Sequence, residues 1–391
     1  MSDHFDHVPL LKPWLEDEEL RAVGEVLASG WVSQGPKVQE FERRIAALVG
    51  APYAIATNSA TSALHLAFQV AGLERGQKVI VPAHTCMATV NGLMLAGAIP
   101  VFADIDRRTF NLDPTAVESA LDEEVRGICL VHQIGLPADI DAFIRLARRY
   151  QLFLVEDAAT AFGATYRGRY LGAHGQPTVY SFHPRKMITT AEGGMVILFD
   201  EQAAERARRL RAAGADVSDL VRHKALGTLQ QQYPEPGYSY RLTDIQAAIG
   251  LVQLGRLPEM LRQRREQAEY YDRELGGLDE VLTPYVPEWA THCYSSYCLT
   301  LAGARHETIS QVLAEMARRG ISCRRGIQPL YREPYFAVEH AETYLPNTEA
   351  AAEQTLFLPI FPGLSTAAQE RVVVALREAI HQFVRPAGAA R

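Results

Sequence analysis

From residue 53 to residue 199 the apolar positions come in short unbroken runs: "YAIAT" (53–57), "KVIVP" (78–82), "IPVFADI" (99–105), "GICLVH" (127–132), "LFLVED" (152–157), "VYSF" (179–182) and "MVILF" (195–199). Runs of this length without polar alternation predict strands buried on both faces, as in a mostly parallel sheet covered by helices. Between them, "TSALHLAFQVAGL" (61–73) and "DIDAFIRLARRYQ" (139–151) space their apolar residues three and four apart, which predicts helices. Strands and helices in alternation place the chain in the α/β class, with a seven-stranded, mostly parallel sheet in a large domain.

Beyond residue 200 the pattern turns helical, in "AAERARRLRAAG" (203–214) and in "LTDIQAAIGLVQLGRLPEMLRQRREQAEYYDREL" (242–275). Pro258 lies inside the second stretch and predicts a kink or a break near residue 257. A strand (297–301), a helix (307–320) and a terminal helix (367–384) then predict a smaller α+β body, and the last residues, 385–391, should fray. The expected division is a large cofactor-binding domain with an N-terminal arm over 1–250 and a small C-terminal domain over 251–391.

Composition narrows the classes. With 391 residues and 48% hydrophobic side chains, the chain has material for a large core. A net charge of -7, with Lys and Arg mixed among acid and alanine, argues against nucleic acid as a partner. No apolar run approaches a membrane span and the start "MSDHFDHVPL" lacks a basic-then-apolar signal pattern, so the cytoplasm is the expected location. Five scattered cysteines read as reduced thiols, and Asp3, His4, Asp6 and His7 as a polar tail, so no metal is assigned.

Three stretches carry candidate chemistry at strand ends, where open α/β sheets place their ligands. In "TNSATSALHLA" (57–67) the free amides of a helix start, with Ser59, Thr61 and Ser62, suit a phosphate or serve only as an N-cap. In "LVEDAATAFGA" (154–164) Glu156 and Asp157 end a buried strand, and Asp157 either needs a cation or caps the next helix. In "SFHPRKMITTAEGG" (181–194) Lys186 sits between a short apolar run and paired glycines. An anion cradle, a buried carboxylate and a lysine at one sheet edge are together what pyridoxal phosphate requires.

These stretches, with "LASGWVSQGPKVQEFE" (27–42), "VIVPAHTCMATVNGLMLAGAIPVFADID" (79–106), "VHQIGLPADID" (131–141), "GYSYRLTDIQAAIGLVQL" (237–254) and "LPIFPGLS" (358–365), resemble the DegT/DnrJ/EryC1/StrS family of pyridoxal-phosphate sugar aminotransferases. The resemblance runs from about residue 9 to 384 and implies the aspartate-aminotransferase-like fold (fold type I). It implies that Lys186 holds the cofactor covalently and that Asp157 pairs with its ring nitrogen. Ser181 and the Ala60–Thr61–Ser62 turn would hold the phosphate, and Thr160 would lie near the ring hydroxyl. It also implies a homodimer with active sites built from both subunits, in which the loop around Ser239 reaches the partner's cofactor. The chain departs from the family at Cys86, where many members stack an aromatic ring on the cofactor and where His84 lies two positions earlier. Thr160 stands where many have Gln or His, and Ser239 where many have Asn.

The expected reaction moves an amino group from an amino acid, glutamate or glutamine by resemblance, to a keto-sugar carried on a nucleotide in amino-sugar biosynthesis. Pyridoxamine phosphate carries the nitrogen between the two halves. Trp31, His183, Arg325 and Tyr331 are expected to line the sugar pocket. Two other functions fit the fold: a pyridoxamine-phosphate-dependent sugar dehydratase, in which histidine replaces the lysine, and a non-catalytic sensor that binds cofactor or sugar. Lys186 argues against the first, and the joint presence of Asp157, Ser181 and Lys186 against the second.

Overall fold

The computed structural model describes residues 7–217, 221, 222, 225 and 229–384; the tail expected to fray and the residues Asp3, His4 and Asp6 lie outside that set. Nine strands build the first body: β1 Tyr53–Thr57, β2 Lys78–Pro82, β3 Ile99–Ala103, β4 Val125–Val131, β5 Phe153–Asp157, β6 Thr165–Tyr166, β7 Arg169–Tyr170, β8 Thr178–Ser181 and β9 Gly194–Leu198. Seven of them form the main sheet in the order β1-β9-β8-β5-β4-β2-β3, in which only β9 runs against its neighbours. The strand expectations hold to within two residues at each end.

The unbroken apolar runs are two interleaved faces. Ile80, Ile128, Leu130, Leu154, Tyr180 and Ile197 pack on one side with Phe41 and Ile45 of the helix Pro36–Val49, Phe143 of Ile140–Tyr150, and Leu254, Leu257 and Leu261 of Asp244–Leu275. Val79, Val81, Cys129, Val155, Val179 and Val196 pack on the other with Leu64 and Phe68 of the helix Ala60–Val70, Val90 and Leu93 of Met87–Leu95, and Leu210 of Glu201–Arg211. Each such side chain contributes about 1.5–3 kcal/mol on burial, so the sheet has no face to present to water.

The second body is an antiparallel sheet of β10 Val281–Leu282, β12 Tyr297–Leu301, β13 Arg324–Arg325 and β14 Thr355–Leu358, in the order β10-β12-β14-β13. The remaining strand, β11 Ala290–Thr291, pairs with β6 instead. Period-2 alternation divides this small sheet too. Leu299, Leu301, Leu356 and Leu358 pack on Ile309 and Val312 of the helix His306–Arg318 and on Val372 and Leu376 of Thr366–Phe383. Cys298 and Phe357 face the large body, against Ile105, Phe110 and Ile134.

Of the expected kink or break near residue 257, the break does not occur. Asp244–Leu275 is a single helix of 32 residues with Pro258 inside it and no break. Pro258 lies on the exposed side, where water can serve the carbonyl that its missing N–H leaves unbonded, while Leu254, Leu257, Met260 and Leu261 hold the path from the buried side. The helix passes straight through the expected boundary at 250/251: its first half packs on the main core, and Ala268, Tyr271 and Leu275 pack on the core of the small body.

Candidate active site

The ends of β1, β2, β5 and β8 converge on one edge of the main sheet. After β1 the chain enters the helix Ala60–Val70 through Ser59, whose hydroxyl accepts from the Ser62 amide at 3.1 Å. The Ser62 hydroxyl donates to Asn58 Oδ1 at 2.7 Å, so Ser62 is committed inside the turn, and the Ala60 and Thr61 amides remain the open donors of the first helical turn. A Cβ at Gly194, where β9 begins, would lie 2.4 Å from the Ser59 carbonyl oxygen, so only glycine lets the returning strand pass this close to the turn.

Alternation along β5 sends its two acids to opposite faces. Asp157 is 3% exposed, accepts from the Thr89 hydroxyl at 2.8 Å and from the Ala159 amide at 2.9 Å, and has no ion pair among the described residues. Both readings of the sequence therefore meet in one side chain: it caps the turn through one oxygen, and the carboxylate still has no cation bonded to it. Glu156, fully buried on the other face, bonds His132 Nε2 at 3.0 Å. Because His132 Nδ1 accepts from the Ala138 amide, Nε2 carries the proton and donates to the carboxylate. The His132 carbonyl accepts from the Thr160 hydroxyl at 2.9 Å. A framework of buried His132 and Glu156 with partly buried Thr160 thus lies beside the Asp157 turn.

Lys186 sits on the loop that joins β8 to β9. The loop is closed at its base by Phe182 N–H to the Gly193 carbonyl at 2.9 Å and Thr190 N–H to the Phe182 carbonyl at 3.0 Å, and it is anchored by buried Phe182, Met187 and Ile188. The Lys186 backbone N–H donates to the His183 carbonyl at 2.8 Å, whereas the side-chain amine makes no hydrogen bond or ion pair among the described residues. Loss of solvation holds that amine below the ordinary lysine range, Asp157 and Cys86 opposing the shift and Arg185 and Arg324 adding to it.

Ser181, at the end of β8, is 5% exposed, and its hydroxyl receives a long bond of 3.5 Å from the His183 amide. Cys86 is exposed at the start of the helix Met87–Leu95. His84 is 1% exposed, stacked on Phe110 at 5.7 Å, and burial lowers it to about 4, so it is a neutral core side chain. Ser239 is exposed, with its carbonyl accepting from Asn58 Nδ2 at 3.3 Å, which ties its loop to the Ser59 turn of the same chain. His183 is half-buried beside Glu192 at 3.8 Å. Trp31 is partly buried, its indole N–H donates to the Gln34 carbonyl at 3.1 Å, and a Cβ at Gly35 would collide with its ring.

Two expected pocket residues bond elsewhere through their side chains, although the Leu330 amide donates to the Ala83 carbonyl just past β2 at 3.0 Å. Tyr331 is 2% exposed within the core beside Phe102, and its hydroxyl donates to Glu349. Arg325 turns toward the helix His306–Arg318, donating to the His306 carbonyl at 3.0 Å and to Ser310 Oγ at 2.6 Å. Strand alternation is the reason: of the adjacent pair, Arg324 takes the opposite face. Sequence reasoning also misses Thr89, whose only signal is a pair of hydroxyls, Thr85 and Thr89, four residues apart around a helix start and bonded at 3.0 Å.

The model of the DegT/DnrJ/EryC1/StrS aminotransferase family matches residues 13–377. The chain belongs to this family. It is similar to aminotransferase TlmJ from Streptoalloteichus hindustanus, at 31% identity and TM-score 0.88, over 97% of this chain and all of that one. Sugar aminotransferase CalS13 from Micromonospora echinospora is 30% identical with TM-score 0.86, over 95% of this chain and 99% of that one. The putative sugar aminotransferase Spr1654 from Streptococcus pneumoniae, in its PMP-form, is 27% identical with TM-score 0.91, over 97% of this chain and all of that one. Spr1654 has also been solved in a PLP-form. The family member described here is a pyridoxal-phosphate-dependent sugar aminotransferase with the α/β fold of these relatives.

The residues gathered here fit that cofactor. A buried carboxylate without a bonded cation, an amine without a bonded partner and two open helix-start amides share one sheet edge. Among the described residues no cluster of three or more His, Cys, Asp or Glu is arranged to hold a metal ion, and no helix is long and apolar enough to cross a membrane.

Proposed function

We propose that this enzyme transfers an amino group from glutamate or glutamine to a keto-sugar carried on a nucleotide. The observation that carries the reading is the presence of Asp157 and Lys186 at one sheet edge, each without a bonded counter-charge among the described residues, with the Asp157 charge acting on the Lys186 amine. When bound, pyridoxal phosphate supplies an electrophilic carbon for nitrogen and a ring that spreads charge left on the donor's alpha carbon. Lys186 would hold the cofactor covalently, and its free amine would move the proton that leaves the donor's alpha carbon. Desolvation favours the uncharged amine that this task needs. Asp157 holds a proton on the ring nitrogen, and the Thr89 and Ala159 donors fix its orientation. The Ala60 and Thr61 amides and the Ser181 hydroxyl hold the phosphate, with Ser62 bracing the turn behind them. The Thr160 hydroxyl has given its hydrogen to the His132 carbonyl, so it offers a lone pair to the ring hydroxyl.

Trp31 and His183 stay in the reading as sugar-pocket residues. A homodimer with shared sites is supported by the exposed apolar face of the helix Asp17–Ser29, where Leu20 and Leu27 are 72% and 57% exposed, and by outward-facing Ser239. Free cysteines, one of them exposed, favour the cytoplasm. The test has two arms. Borohydride treatment should fix the cofactor's mass on the peptide that contains Lys186. Holoenzyme given glutamate and a panel of nucleotide-linked keto-sugars should release 2-oxoglutarate with one of them. Label on a different lysine, or a visible band indifferent to both glutamate and glutamine, would overturn the reading.

A further inference from the structure

The 238–240 segment is fastened to the end of the helix Glu201–Arg211, with the Tyr238 amide donating to the Leu210 carbonyl at 2.6 Å and the Tyr240 amide to the Arg211 carbonyl at 3.0 Å. The helix Ala60–Val70 is in turn fastened to that segment at two places. On its second turn, His65 Nδ1 lies 3.0 Å from the Tyr240 hydroxyl, and the imidazole packs on the Tyr238 ring with centroids 4.6 Å apart. Ahead of its first turn, Asn58 uses three polar groups. Its backbone N–H donates to the Tyr240 carbonyl at 2.9 Å, its Nδ2 donates to the Ser239 carbonyl at 3.3 Å, and its Oδ1 accepts from the Ser62 hydroxyl at 2.7 Å.

An asparagine just before a helix is most often a local cap or turn former. Here Ser59 is the N-cap, and Asn58 joins the first turn to a segment far along the sequence. A carbonyl can only accept, so Ser239 fixes which end of the side-chain amide is Nδ2 and turns Oδ1 toward Ser62. Oδ1 takes the Ser62 hydrogen, so in the 2.9 Å contact between the two serine hydroxyls Ser59 is the donor. The hydroxyl hydrogens therefore run one way, from Ser59 to Ser62 to Asn58. Neither is left for an anion, and the Ala60 and Thr61 amides, whose direction follows the helix, remain to meet it.

We propose that Asn58 is a positioning residue for the cofactor's phosphate: it locks the serine pair and the helix start to the 238–240 segment and so keeps the Ala60 and Thr61 amides aimed at the anion. The proposal rests on the cofactor reading above. A turn already set before the anion arrives loses less freedom on binding, which favours the phosphorylated cofactor over the same ring without phosphate.

The test uses full-length apoprotein of the wild type and of N58A, S62A and N58A/S62A. The probes are pyridoxal phosphate and pyridoxal, which has the same ring and aldehyde but no phosphate, with Kd read from the visible band. N58A should weaken pyridoxal phosphate by about tenfold, the upper end for loss of a neutral hydrogen bond, and change pyridoxal by less than about twofold. S62A, which cuts the same bond from the helix side, should lose a similar amount, and the double variant no more than either alone. Equal weakening of both probes would reduce Asn58 to a general structural role and overturn the proposal, as would a wild-type preference for pyridoxal phosphate retained in N58A. Loss in S62A with N58A unchanged would put the phosphate on the Ser62 hydroxyl itself and overturn it as well. A wild-type protein that binds the two probes equally would instead refute the phosphate turn, and Asn58 with it.

Discussion

The long helix Asp244–Leu275 and the edge of the main sheet each keep an acid and a base out of water, and they treat them in opposite ways. On the helix, Asp244 is 2% exposed and accepts from the amides of Gly35, Lys37 and Val38 at 2.8–3.0 Å, which closes the start of the helix Pro36–Val49. Arg264, 3% exposed, donates to the carbonyls of Tyr294, Ser295 and Ile360 at 2.9–3.2 Å. At the sheet edge Asp157 takes one amide and one hydroxyl, and the Lys186 amine takes nothing. Arg264 and Lys186 even border the same small cavity. Burying polar groups is tolerable when hydrogen bonds replace water, and the helix pair is tied to the fold in this way, although Arg264 Nε has no partner among the described residues. The sheet-edge pair leaves binding capacity open, which is the signature of a site that a ligand completes.

Substitutions at these residues should separate along that line. Lys186→Met should show the largest effect: if its amine has the proposed role, amino transfer falls about 10⁴-fold or more, while the circular dichroism spectrum stays that of the wild type. Residual transfer within tenfold of wild type would place the chemistry elsewhere. Arg264→Leu should do the reverse. Three buried carbonyls lose their donor, so unfolding free energy should drop by about 3–5 kcal/mol in denaturant titrations. A stable Arg264→Leu protein with crippled turnover would merge the two regions. Asp157→Asn keeps the shape and an acceptor for the Ala159 amide, its new N–H donating to the Thr89 hydroxyl, but removes the charge, so turnover should fall by about a hundredfold or more with little change in melting temperature.

The same contrast explains what the sequence can convey. Main-sheet strands are readable because each must be apolar on both faces, and Lys186 and Asp157 because their neighbours narrow the chemistry. The helix Asp17–Ser29 leaves less trace: it has only Glu19 and Val26 buried, too few apolar anchors to mark a period. Two-residue strands such as β13 carry no pattern at all. With them goes the choice between Arg324 and Arg325, which depends on which face of the small sheet meets the large body, a fact of packing between elements far apart in sequence. The burial of Tyr331 beside Phe102 is hidden for the same reason, since it depends on where the 327–331 segment docks. That Pro258 does not break its helix is likewise a tertiary result, since the buried face overrides local preference.

The finest test asks what the open lysine costs the cofactor-free protein. Desolvation lowers the Lys186 pKa in the fold, whereas in the unfolded chain it stays near the ordinary 10.5. At pH below both values the amine is charged in both states, and the native state carries the full penalty of holding an ammonium away from water. As pH rises past the native value, the folded protein sheds the proton while the unfolded chain keeps it. Stability therefore increases across that window and levels off near 10.5. Lys186→Met has no such proton, so at neutral pH the variant should be more stable than wild-type apoprotein by roughly 0.5–2 kcal/mol, the usual gain when a functional polar group is replaced by an apolar one. The gap should narrow as pH approaches 10.5. Denaturant titrations of both proteins at several pH values between about 6 and about 10 would measure it. A variant less stable than wild type throughout would mean that Lys186 contributes to the fold as Arg264 does, and the division between the two regions would be lost.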